Sequence, residues 1–260
     1  MSAGAHITDL WMPHLVPPLT AGADVCPICH AHRAPDFDEC WTCGQTASIA
    51  GAVHRIIPIM LWDTGTPAGN LMHAYKQENS PRFIELREIL SRWLRIHLVC
   101  LSPEPDARLT LVTHVPSKRA SDRPHPLGLV LQHIVAAGGY QSVLIPGPGA
   151  GRIGRNRPDP EGFALAPGAW VADQRIVLVD DTFTTGATLQ SAAHALTAAG
   201  GHVAAAVVVG RKVNWRGHDP AEEVWRRAQR QPFDWDRCCA SLPGCVVSTD
   251  LGFHLDEPPF

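Results

Sequence analysis

The chain has 260 residues, 45% of them hydrophobic and 18% charged, which is enough apolar material for a real core and enough length for one large domain beside a small one. Its formal net charge of −3 excludes a protein that coats nucleic acid or membrane through overall charge, so any nucleic-acid contact has to be local. No run reaches the roughly 18 apolar residues of a spanning helix, and "MSAGAHITDLWMPHL" has no basic start leading into an apolar stretch, so no membrane insertion and a cytoplasmic location are expected.

In chain order, residues 1–20 read as a flexible lead. Residues 21–48 are too polar and too short to fold alone, but they carry Cys26-x2-Cys29 and, ten residues on, Cys40-x2-Cys43. Each CxxC turn can direct two thiolates at one ion, and four thiolates make the tetrahedral shell that zinc prefers, so 21–48 is expected to be a zinc ribbon folded around structural Zn2+. Disulfide pairing is the competing reading, and the lack of an export signal speaks against it. Pro27 stiffens the first turn, and Gly44 is available for the positive φ of a metal knuckle. His30 and His32 are near enough to replace a ligand, although an all-cysteine shell is simpler. Cys100 reads as core, and Cys238, Cys239 and Cys245 fit no metal spacing and stay unassigned.

From "VHRIIPIMLW" onward the text is that of a larger domain, residues 49–260. Ser80-Pro81 opens a helix with Phe83, Leu86, Leu90, Trp93 and Leu94 on one face. There follow a strand at 108–113, a helix around Leu127, Val130, Leu131, Ile134 and Val135, strands at 142–146 and 175–179, a helix at 188–199 and a strand at 203–209. Short, nearly all-apolar strands separated by helices predict an α/β fold with a parallel sheet covered on both faces. Ligands of such sheets bind at the carboxyl ends of the strands.

"RIVLVDDTFTTGATL" (175–189) lies at such an end. Its strand is expected to stop at Asp180, and the following loop is expected to be a helix N-terminus. Amides there, with the hydroxyls of Thr182, Thr184, Thr185 and Thr188, make a cup for phosphate, and Gly186 lets the backbone approach closely. Two carboxylates beside a phosphate repel it unless they face another part of the same ligand, such as a vicinal diol or a magnesium ion. A 5-phosphoribosyl group has that shape.

"VLVDDTFTTGATL" resembles the 5-phosphoribosyl-1-pyrophosphate (PRPP) signature of type I phosphoribosyltransferases. The resemblance implies that Asp180 and Asp181 bind the ribose hydroxyls and that Thr184, Thr185, Gly186, Ala187 and Thr188 bind the 5-phosphate, with Mg2+ carried in with PRPP. A narrower resemblance spans most of the chain. Two CxxC turns, "LMHAYKQE" (71–78), "VTHVPSKR" (112–119) and the signature, in that order, look like the ComF family of phosphoribosyltransferase-like proteins linked to DNA uptake in naturally competent bacteria. The chain departs from that family at 123–128, where "RPHPLG" stands in place of an Arg-Gly-Phe-Asn-Gln run.

The resemblance implies a type I phosphoribosyltransferase fold with hood segments at about 49–105 and 211–260. It makes the loop after Thr113 the pyrophosphate loop, with Lys118 and Arg119 as its cations. It also makes the Gly-, Pro- and Arg-rich residues 147–170 a closing loop that brings Arg155, with Arg152 and Arg157, to the reacting centre. Tyr75 and Lys76 fall in the hood, and His114 and His125 stand near enough to be considered for proton transfer. The implied reaction is transfer of phosphoribosyl to an unidentified acceptor with release of pyrophosphate. Two other readings remain: a protein that handles single-stranded DNA with a helicase partner, for which Trp215, Trp225, Trp235, Arg226, Arg227 and Arg230 are candidates, and a PRPP-sensing regulator.

Overall fold

A computed structural model describes residues 6–77, 80–102, 108–119, 123–136 and 138–240. In chain order the elements are α1 (Ile7–Trp11), α2 (Trp41–Thr46), β1 (Ile56–Trp62), α3 (Pro67–Ala74), α4 (Pro81–His97), β2 (Leu111–His114), α5 (Pro126–Ile134), β3 (Leu144–Pro146), β4 (Phe163–Leu165), β5 (Arg175–Phe183), α6 (Ala187–Ala198), β6 (His202–Lys212) and α7 (Asp219–Gln229). Four strands form one parallel sheet in the order β1-β6-β5-β2, flanked by helices, and β3 and β4 form a separate antiparallel pair.

The apolar strands are covered on both faces, and successive residues alternate between two cores. Val177 and Val179 of β5, with Val207 and Val209 of β6, pack with α3, α4 and α5. Ile176 and Leu178, with Ala206 and Val208, pack with α6 and with the cysteines near the N-terminus. α4 begins as read from sequence, with Pro81 in its first turn and the Ser80 hydroxyl accepting from the Arg82 amide at 3.2 Å. The "RPHP" run builds the start of α5, where the His125 ring accepts from the Leu127 amide at 3.3 Å and Pro126 is the first helical residue.

Three segments differ from the sequence reading. The 142–146 stretch is not a strand of the main sheet. The chain at Tyr140 pairs in parallel with Val112 through a single bridge, then leaves the edge as β3 and turns antiparallel to β4, which leaves Ile145 exposed. β1 is an unanticipated strand, and its Pro58 is tolerated because β1 ends the ladder. Of the lead, residues 1–5 lie outside the described residues; from His6 on the chain packs, with Trp11 and Leu15 buried among α3 and α4 residues and Arg92 bonded to Thr8 and Asp9. Among the described residues no helix is long and apolar enough to cross a membrane.

α7 buries Val224, Trp225 and Ala228 against Leu19, Val25 and Leu61. Its arginines are engaged in ion pairs: Arg226 with Glu222, Arg230 with Glu223, and Arg227 with Asp24 through two 2.9 Å bonds. Trp235 is buried too, and the half-buried Trp215 donates its indole N–H to Asp63 at 3.2 Å.

Candidate functional site

β5 runs past the expected stop and carries Asp180, Asp181, Thr182 and Phe183 as strand residues. Thr184 and Thr185 then turn the chain, and Gly186 caps α6 with φ +88°. That left-handed value favours glycine, and a Cβ there would also lie 2.6 Å from the buried Phe183 ring. The turn is braced from behind by Arg211 of β6, whose Nη1 donates to the carbonyls of Phe183 (3.2 Å), Thr184 (2.5 Å) and Lys212 (3.0 Å). Its guanidinium also lies over the Phe183 ring, 4.8 Å from the centroid.

The two acids differ. Asp181 follows Val177 and Val179 on the face where α3 packs, and it is 7% exposed. Its Oδ2 accepts from the Tyr75 hydroxyl at 2.6 Å and pairs with the Lys76 ammonium, both from the end of α3. Burial pushes the Asp181 carboxyl up, but Lys76 and Tyr75 outweigh that and hold it below the usual carboxylate range. Asp180 is raised well above that range, by burial first and then by the ionised Asp181 beside it. Its Oδ1 accepts from the Asp181 amide at 2.9 Å. The two adjacent acids thus sit in different surroundings within one site, and only Asp181 is reached by Lys76 and Tyr75.

A cavity of about 190 Å³ opens here, lined by Lys76, Val115, Pro116, Ser117, His125, Asp180, Asp181, Thr182 and Thr188. The acid pair, the start of α6 and the loop after β2 therefore meet in one place at the carboxyl end of the sheet. Lys118 and Arg119 are exposed beside it rather than in its lining; the Lys118 ammonium donates to the Ile153 carbonyl at 3.4 Å. Residues 147–170 follow β3 and hold a 3₁₀ turn and β4, with Arg152 paired to Asp159 and Glu161. Arg155 is exposed, and its carbonyl accepts from the Thr185 hydroxyl, which ties this segment to the threonine turn.

Lys76, Tyr75 and Arg211 are the residues around the acids and the threonine turn that motif reading undervalued or missed. Only the Tyr-Lys pair in "LMHAYKQE" signalled α3, and nothing in the sequence marked Arg211. His114 and His125 stack at 5.1 Å and are both held below the usual histidine range, first by burial; His114 is pushed down to about 4. His114 shares a 3.0 Å bond with the Tyr140 hydroxyl, so both rings are neutral and already bonded at physiological pH.

Behind the turn lie Cys26, Cys29, Cys40 and Cys43, all buried free thiols whose sulfurs fall within 4.8 Å of one another. The Cys40 amide donates to the Cys26 sulfur at 3.4 Å, and the Cys43 amide to the Cys40 sulfur at 3.5 Å, which suits thiolates. Four sulfurs so placed can bind a metal ion such as zinc. Neither nearby histidine joins them: the His30 ring bonds the Leu19 carbonyl at 3.0 Å, and His32 stacks on His218. The positive φ of the knuckle falls at His30, 58°, rather than at Gly44, which is inside α2. The cluster shares its core with Phe183, Ala187 and Leu189, so the metal module and the threonine turn are packed together.

No protein-family model matches the chain, and no curated protein does.

Proposed function

We propose that the chain is a ComF-like phosphoribosyltransferase that binds magnesium-PRPP in the cavity beside Asp180 and Asp181. The observation that carries this reading is the meeting of an acid pair, Thr182, Thr188 of the first α6 turn and a lysine around one small cavity at the carboxyl end of a parallel strand. In this reading the 5-phosphate rests on the Thr184–Thr188 turn. Asp180 and Asp181 hold the ribose diol, each carboxylate accepting from a hydroxyl. Cys26, Cys29, Cys40 and Cys43 hold structural zinc and fix the back of the turn.

The C1–oxygen bond to pyrophosphate breaks with its electron pair on the leaving oxygen, and an acceptor lone pair takes its place at C1. Lys76 stands in the cavity wall, and Lys118 and Arg119 follow Ser117 of that wall, so cations of the chain stand ready for the negative charge that grows on the leaving group, with Arg155 on the neighbouring groove. Magnesium, entering with PRPP, adds charge neutralisation on the diphosphate. Catalysis then consists of holding the ribose and neutralising the leaving group.

A specific surface favours a second reading, contact with single-stranded DNA. A groove of about 640 Å³ runs between the cysteine segment, Thr184–Thr185 and α7, and it carries the exposed rings of Phe37 and Trp41 near Arg155 and Lys212. Exposed aromatics beside cations suit unstacked bases. Incubation with magnesium-PRPP and candidate nucleophiles separates the readings. Acceptor-dependent release of pyrophosphate is expected for the enzyme. Salt-sensitive binding of single-stranded DNA with no such release overturns the enzymatic reading and leaves the DNA-handling one.

A further inference from the structure

The groove of about 640 Å³ and the cavity beside the acids share no lining residue, and the threonine turn stands between them. Thr182 and Thr188 line the cavity, whereas Thr184 and Thr185 line the groove. A volume of this size suits one small ligand.

The groove holds polar groups that the protein leaves unmatched. Arg211 lines it and is 7% exposed. Its Nη1 is spent on three carbonyls, but among the described residues neither Nε nor Nη2 has a hydrogen-bond partner, and no carboxylate pairs with the guanidinium. A buried cation in that condition calls for an anion. Asn156 is in the same lining, and its Oδ1 is also buried without a partner, ready to accept from a donor. Arg155 and Lys212 add two more cations with no carboxylate partner among the described residues, and Glu39 is the one acid in the lining. The Thr185 hydroxyl donates to the Arg155 carbonyl and Arg211 donates to the Thr184 carbonyl, so these cations gather at the threonine turn.

An anion alone has no use for rings. Trp41 and Phe37 line the groove from the cysteine segment and are 68% and 65% exposed. An open indole is a stacking platform for a planar base. A nucleic-acid strand would need a longer track of cations. Here α7 contributes Ala221, Val224 and Trp225 to the lining, while its arginines are held by Glu222, Asp24 and Glu223. Arg33, also in the lining, is spent on the carbonyls of Gly22, Val25 and Phe37.

We propose that the groove binds a free nucleoside phosphate, with its phosphates on Arg155, Arg211 and Lys212 and its base on Trp41. The site is separate from the cavity given to PRPP and does not rest on that assignment.

Calorimetric titration of ADP, GDP and adenosine into the full-length chain tests it. The diphosphates should saturate one site, and adenosine should bind at least about tenfold more weakly for lack of the phosphates. Trp41→Ala and Arg155→Gln, both at exposed side chains, should each weaken the diphosphates at least about fivefold. No saturable binding of either diphosphate at millimolar concentration, or wild-type affinity in either variant, overturns the proposal. Competitive displacement by magnesium-PRPP overturns it too, by making the cations part of the PRPP site, as does displacement by a thymidine oligonucleotide at lower concentration, which gives the groove to nucleic acid. Because the diphosphates are titrated first without PRPP, a failure of the PRPP assignment leaves this result readable.

Discussion

Asp181 and Asp180 have the same chemistry and opposite environments, because only Asp181 is reached by Tyr75 and Lys76. The sequence offered both acids at the mouth of a strand expected to stop at Asp180. What it lacked was the length of β5, since "DDTF" has no breaker before Thr184 yet reads as a loop by its polarity. His114 supplies a pH test at the same scale. Its folded-state proton affinity is depressed to about 4 from 6.5, so as pH falls the unfolded chain takes the proton first. Stability should therefore fall between pH 6.5 and 4, by up to roughly 3 kcal/mol from this group, with a further loss in the same direction from His125. Denaturant titrations across that window should show a shallower decline for His114→Gln; parallel curves for the two proteins would contradict the assignment.

At the level of elements, the threonine turn is held by contacts on three sides: Arg211 from β6, Phe183 beneath it and the cysteine cluster behind. Gly186→Ala should cost about 2 kcal/mol or more, because alanine pays for the left-handed φ and its methyl meets the Phe183 ring. A double-mutant cycle with Phe183→Leu separates the two causes, since the smaller side chain relieves the contact and not the dihedral. Strictly additive costs would show that the ring contact is not real. Cys40→Ser should lower zinc content and also speed hydrogen exchange in residues 183–190, because the cluster and the turn share one core. Faster exchange confined to 21–48 would mean that the cysteine segment is an independent module.

At the scale of the molecule, the α/β class, the order of α4, α5, β5, α6 and β6, and the four-cysteine set were legible because each rests on a local pattern: apolar runs, helix caps and paired CxxC turns. β1 was not, because Pro58 within an apolar run argues against a strand unless its edge position is known. Nor was the departure of β3 from the sheet, which depends on what lies beside β2. The site followed the same division. The acids and threonines were visible in one stretch of sequence, whereas Lys76 and Arg211 reach it only through the packing of α3 and β6. Calorimetric titration of magnesium-PRPP into the full-length chain tests the central claim most directly. Wild type should bind in a magnesium-dependent manner, and Asp180→Asn with Asp181→Asn should weaken binding at least about 100-fold, the scale of losing two or more charge-assisted contacts, with the far-ultraviolet dichroism unchanged. No binding by wild type, or equal affinity in the double variant, would contradict the assignment of this cavity to PRPP.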